Sequence, residues 1–219
     1  GSIRIWSTET WERSGEYPHP EGVLYAEFSP DGDRIVSVCL DGGVRLWDRE
    51  SGRVLHAWWQ VRPLPNSRHH RQLGRYMAHK SGQARAHFSA DGRVVVMHSV
   101  TGRISACDVA SGEIVWATDA LGPVVNIALS QSPSSLRVAV CTHSEQRVLV
   151  LDGATGEPIH KFPHASLAED VRFSRDGKQL FTLEWPGRAW QWDAISGDFI
   201  RHLNPDLETF THGFTHFAV

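Results

Sequence analysis

The sequence predicts an all-β chain built from repeated four-stranded antiparallel units, and three observations carry that expectation. The frame D-x-x-[ST]-G recurs at Asp48–Gly52, Asp108–Gly112, Asp152–Gly156 and Asp193–Gly197, with starts 60, 44 and 41 residues apart. A second frame, F-S-x-D-G, recurs at Phe28–Gly32, Phe88–Gly92 and Phe173–Gly177. No segment sustains the i, i+3, i+4 apolar spacing that a helix needs over roughly ten residues. A period of about 40 to 45 residues is the length of one four-stranded β-propeller blade.

Taken in order, the elements follow from local chemistry. Ile3-Arg4-Ile5-Trp6-Ser7 matches Val44-Arg45-Leu46-Trp47-Asp48, 41 residues later, so the chain opens on a third strand and Arg13–Pro18 is the fourth. Arg34–Cys39 and Gly92–Met97 are dominated by β-branched residues, as mostly buried, pleated strands require. Asp31-Gly32, Asp91-Gly92 and Asp176-Gly177 are dipeptides that tolerate the positive φ of a hairpin turn. In D-x-x-[ST]-G the Asp accepts hydrogen bonds from amides of its own turn, and the Gly takes a conformation that a Cβ disfavours.

Four complete copies give 16 strands, the N-terminal pair adds two and Phe214–Val219 adds a first strand, for 19. The fold expected is thus four complete blades plus one incomplete blade made from the two chain ends, in a single domain over residues 1–219. The opening within a turn and the ending in mid-strand suit a consecutive slice of a larger ring.

Composition narrows the class of function. The 219 residues, 41% hydrophobic and 10% aromatic, are enough to bury a substantial core. There is no long apolar run, so no membrane-spanning helix is expected. Cys39, Cys107 and Cys141 form no C-x-x-C pair, which argues against a cysteine zinc site or a disulfide scaffold and favours a reducing, cytoplasmic compartment. The 13 His lack ligand spacing, so no metal is expected. Charging all 13 would carry the net charge from −3 to +10, so binding is expected to respond to pH between about 5 and 7.

The segment from His19 through Ala26-Glu-Phe-Ser-Pro-Asp-Gly32, Ile35–Val38 and Asp41 to Trp47-Asp48 resembles the WD40 repeat family. The resemblance implies a buried polar network of His19, Ser37, Asp41 and Trp47, in which one imidazole links a hydroxyl to a carboxylate. The last copy keeps His164, Thr182 and Trp192, with Pro186 at the Asp position. Two copies depart from the pattern, with Met97, Thr101 and Cys107 in one and Cys141, Glu145 and Leu151 in the other. Those two, at Ile104–Trp116 and Val148–Gly156, resemble instead the D-x-x-T-G-x-x-x-W blade of the quinoprotein-like propellers.

The largest departure from the period is a basic inserted loop at residues 61–75, between a fourth strand and the next first strand. Residues 51–90 carry seven Lys or Arg and no acid, so this segment is +7 and the rest of the chain −10. Trp58, Trp59, Arg62, Arg68, His69, His70, Arg71 and Arg75 are therefore the candidate partner-binding residues, for a protein or peptide of acidic character. The negative net charge and the lack of a nucleic-acid module disfavour nucleic acid.

Ser37 lies inside a strand rather than on a strained nucleophile turn, and no phosphate loop or catalytic carboxylate pair is present. The function expected is a non-catalytic protein–protein interaction platform without a cofactor, part of a larger multidomain or multi-blade protein. The alternative is a quinoprotein-like propeller with a redox or assembly role.

Overall fold

The computed structural model describes residues 1–59, 84–99, 101–119, 122–132, 135–142 and 146–203. Among them are 18 strands and no helix. The terminal hairpin pairs β1 (Ser2–Trp6) with β2 (Arg13–Pro18). Blade I holds β3 (Val23–Phe28), β4 (Arg34–Cys39), β5 (Gly43–Asp48) and β6 (Val54–Trp59). Blade II holds β7 (Arg85–Phe88), β8 (Val94–His98), β9 (Arg103–Asp108) and β10 (Ile114–Asp119). Blade III holds β11 (Val124–Leu129), β12 (Arg137–Thr142), β13 (Arg147–Asp152) and β14 (Pro158–Pro163). Blade IV holds β15 (Ala168–Phe173), β16 (Gln179–Glu184), β17 (Arg188–Asp193) and β18 (Phe199–His202). Each blade is an antiparallel sheet in chain order, so the molecule is a partial β-propeller. The anticipated strand at 214–219 and the loop at 61–75 lie outside the described residues.

Turn chemistry sets these strands in register. In the first-to-second strand turns, Ser29, Ser89 and Ser174 donate through Oγ to Asp31, Asp91 and Asp176 at 2.5–2.6 Å. The same hydroxyls accept from the amides of Arg34, Val94 and Gln179 at 2.9–3.0 Å, closing each hairpin. In blade III, Ser130 accepts from the Arg137 amide at 2.9 Å across a loop two residues longer. In the third-to-fourth strand turns, the Oδ1 atoms of Asp48, Asp108, Asp152 and Asp193 accept from the amide three residues on at 2.7–2.9 Å.

Hydrophobic burial is divided among the joints between neighbouring sheets. Alternation sends Ile35 toward the terminal hairpin, where it meets Tyr17, Trp47, Ile3 and Ile5, while Val36 and Val38 meet Ala86, Phe88 and Met97 of blade II. Val96, Ile104 and Ala106 of blade II pack on Ile127, Val138 and Val140 of blade III. Ala139, Cys141 and Phe162 of blade III pack on Val171, Leu180 and Trp192 of blade IV.

A polar clasp crosses each joint from a fourth strand to the next blade's D-x-x-[ST]-G turn. Tyr17 Oη donates to the Arg49 carbonyl at 2.6 Å, and the indoles of Trp58 and Trp116 donate to the Gly112 and Gly153 carbonyls at 2.8 Å. His160 Nε2 donates to the Ile195 carbonyl at 2.9 Å. Where a neighbouring inner strand is present, the Phe of F-S-x-D-G is covered: Phe88 and Phe173 are buried. Phe28 is 50% exposed, because the terminal hairpin supplies only the two outer strands of its blade.

Candidate functional site

The buried polar ladders of blades I and IV share one geometry. In blade I the Trp47 indole donates to Ser37 Oγ at 2.8 Å, and Ser37 Oγ lies 2.8 Å from His19 Nε2. Nδ1 of that ring donates to the Tyr17 carbonyl at 2.9 Å, which leaves Nε2 as the acceptor for the serine hydroxyl. In blade IV, Trp192 donates to Thr182 Oγ1 at 2.9 Å, Thr182 lies 2.7 Å from His164 Nε2, and His164 Nδ1 donates to the Phe162 carbonyl. Burial depresses the pKa of both imidazoles, keeping them in the neutral form that this hydrogen-bond direction needs. Ser37 is wholly buried between an indole and an imidazole, an arrangement that gives a substrate no access to its hydroxyl.

Asp41 differs from the expectation. Both nitrogens of His19 are engaged elsewhere, and the Asp41 carboxylate accepts from the Gly43 amide at 2.8 Å and from Arg45 Nη2 at 2.6 Å. Burial alone would push its pKa up, but these donors outweigh it and hold the carboxyl below its ordinary value. Pairing also corrects the degenerate copy in blade III. Val140, opposite Ile127 and Leu149, occupies the position that Ser37 holds opposite Ala26 and Arg45, and Cys141 is its neighbour on the other face.

The two tryptophans at the root of the basic segment separate. Trp58 is buried and its indole clasps blade II. Trp59 is 50% exposed, and the Arg45 guanidinium sits 5.6 Å from its ring centroid, pinned by Asp41. Arg62, Arg68, His69, His70, Arg71 and Arg75 lie outside the described residues.

The inner strands carry a polar cluster that frame-by-frame reading passes over. Glu27 Oε2 accepts from Tyr25 Oη at 2.6 Å and from His87 Nδ1 at 2.7 Å, while Oε1 accepts from the Phe88 amide at 3.0 Å, tying blade I to blade II. Asn126 Nδ2 likewise donates to Asp170, tying blade III to blade IV. Burial works to raise the Glu27 pKa, yet His87, Tyr25 and the Phe88 amide together hold it below the usual range. The signal was present in the sequence: Glu27, His87 and Arg172 are the residues immediately before the Phe of each F-S-x-D-G. Among the described residues no group of three or more His, Cys, Asp or Glu is placed to hold a metal. No helix among them is long and apolar enough to cross a membrane.

Comparison with known proteins finds both blade styles, in matches that overlap at residues 32–48. Residues 32–184 match the PQQ_2 family, described as outer membrane protein assembly factor BamB. Residues 11–48 match the WD domain, G-beta repeat, and cover the ladder of blade I. No curated protein matches the chain.

Proposed function

The chain belongs to the PQQ_2 propeller-repeat family described as outer membrane protein assembly factor BamB, and on that premise we propose that it is a non-catalytic protein-interaction platform. WD40 repeats are a family of protein-interaction scaffolds, which favours binding over turnover, while the PQQ_2 match is compatible with the alternative, a quinoprotein-like propeller with a redox or assembly role. The partner is a protein or peptide segment of acidic character. It docks at the end of blade I that presents Trp59, with charge supplied by residues 61–75, which follow in the sequence, within a larger multidomain or multi-blade protein.

Trp59 is the observation that carries this reading. Its half-exposed ring is held by Arg45, and Arg45 is fixed by Asp41, so an aromatic anchor stands pre-organised within a stretch of sequence that carries +7. Trp58 contributes indirectly, by fixing the strand that presents Trp59.

The test is fluorescence anisotropy of a labelled ten-residue glutamate-rich peptide. Trp59→Ala, and separately the combined Arg62→Ala, Arg68→Ala, Arg71→Ala and Arg75→Ala variant, should each weaken binding by about tenfold or more, equivalent to roughly 1.4 kcal/mol. Binding unchanged in both variants refutes the acidic-partner reading. A visible quinone chromophore in the purified protein would favour the redox alternative.

A further inference from the structure

The joint between blades II and III differs from the others in what it buries. Register pairs Tyr25 with Val38, Arg85 with His98, Asn126 with Cys141 and Asp170 with Leu183. One equivalent second-strand position therefore holds an apolar or thiol side chain in blades I, III and IV and an imidazole in blade II. His98 is fully buried, and neither ring nitrogen has a partner at hydrogen-bond geometry, although the backbone of Ser99 lies near enough to favour the charged ring. Alternation places it on the face of Val94 and Val96, toward blade III. On the facing sheet, Thr142 follows Val138 and Val140, is likewise buried, and its hydroxyl has no partner.

Among the described residues, the titratable groups nearest this imidazole are basic, and the carboxylates are engaged or turned away. On β7, Arg85 and His87 lie within electrostatic reach of His98, while the Arg85 guanidinium sits 5.8 Å from the Tyr25 ring centroid and His87 bonds Glu27 of blade I. On β13, Arg147 shares the face of Leu149 and Leu151 toward blade II. β11 has no titratable residue, and β12 has only Arg137 at its far end and Cys141, which faces blade IV. Ile104 and Ala106 of β9 and Trp116 of β10 share this joint; by alternation Arg103 and Asp119 point away from it, while Asp108 lies in the turn at the opposite end. The nearest carboxylate from β3, Glu27, is already engaged by Tyr25, His87 and the Phe88 amide.

We propose that the joint between blades II and III is an acid-labile seam, in which protonation of His98 places a charge without a hydrogen-bond partner in a buried site beside Arg85 and His87 and parts the two sheets at that end. Among the described residues no unengaged carboxylate faces the ring, so the protonated imidazole is accommodated by opening the joint to solvent. Blades I and IV carry their buried imidazoles inside satisfied ladders, with a partner on each ring nitrogen.

Amide hydrogen exchange of the intact chain at pH 7 and pH 5, corrected for intrinsic exchange, tests the seam. If only the open joint takes the proton at an ordinary histidine value of 6.5, protection of β8 and β12 should fall roughly 25-fold. Protection of β4 and β5 should fall much less. In His98→Leu the loss at β8 and β12 should disappear, and His98→Gln serves as the neutral replacement if the leucine variant does not fold. Equal loss in all blades, no loss in the wild-type protein, or the same localised loss after removal of the imidazole would each overturn the proposal.

Discussion

At the scale of single residues, a buried hydroxyl is valuable here because it answers two partners at once. Ser37→Ala strands the Trp47 indole N–H and leaves His19 Nε2 without its donor, so urea unfolding should show a loss of roughly 1–3 kcal/mol. Ser37→Thr should cost less than about 1 kcal/mol, because Thr182 makes the same two contacts in blade IV. Asp41→Ala should cost about 1–3 kcal/mol through a different route, by unpairing Arg45 and the Gly43 amide. The ladder was legible because His19, Ser37 and Trp47 repeat the spacing of His164, Thr182 and Trp192. The partner of Asp41 was not, since sequence spacing does not reveal that Tyr17 has already claimed the second imidazole nitrogen.

At the scale of elements, the third-to-fourth strand turn doubles as the receptor of the joint. A Cβ on Gly156, at φ +75°, would lie 2.6 Å from the Trp116 ring, whereas one on Gly52, at φ +67°, meets nothing within 4 Å. Gly52→Ala should therefore cost only its backbone strain, roughly 1–2 kcal/mol, and Gly156→Ala roughly 1–3 kcal/mol more, read as a difference in unfolding midpoint. Trp11 stands at the same turn position in the terminal hairpin with φ +58° and is 77% exposed. The bonds from the Ser7 amide to Glu12 and from the Trp11 amide to Ser7 repeat those of Asp48 and Gly52. Trp11→Gly should raise stability by about 0.5–1 kcal/mol, as relieved strain exceeds the added freedom of the unfolded chain. The turns themselves were readable because each frame contains its own donors and acceptors. Their docking was only half readable, since Trp116 sits where blades I and III place His56 and His160, and all three cover a neighbour's glycine.

At the scale of the whole molecule, acid is the condition to which this fold is most exposed. Folded-state pKa values of His19, His98 and His164 are lowered by burial, with His98 down to about 3. The folded chain thus binds fewer protons than the unfolded chain, and the stability present above about pH 6.5 is lost as the pH falls toward the folded values. The turn carboxylates Asp31, Asp48, Asp91, Asp108, Asp176 and Asp193, also lowered, extend that loss below their ordinary value of 3.8. Thermal melts should show a midpoint that declines from pH 6.5 downward, and a flat profile to pH 4 would contradict these shifts. His98 alone accounts for roughly 3–5 kcal/mol of the decline by pH 3.

By itself the sequence determined the four complete blades, the turn frames and the His, Ser or Thr, and Trp of both polar ladders. Each of these depends on groups within one repeat, separated by a fixed number of bonds. Only the tertiary structure decided which tryptophan clasps a neighbour and which faces outward, where Asp41 directs its charge, and that the ring nitrogens of His98 lie without hydrogen-bond partners in a buried joint. Those outcomes depend on which faces of separate sheets meet, and a shift of one residue in register exchanges the two faces without altering the frames.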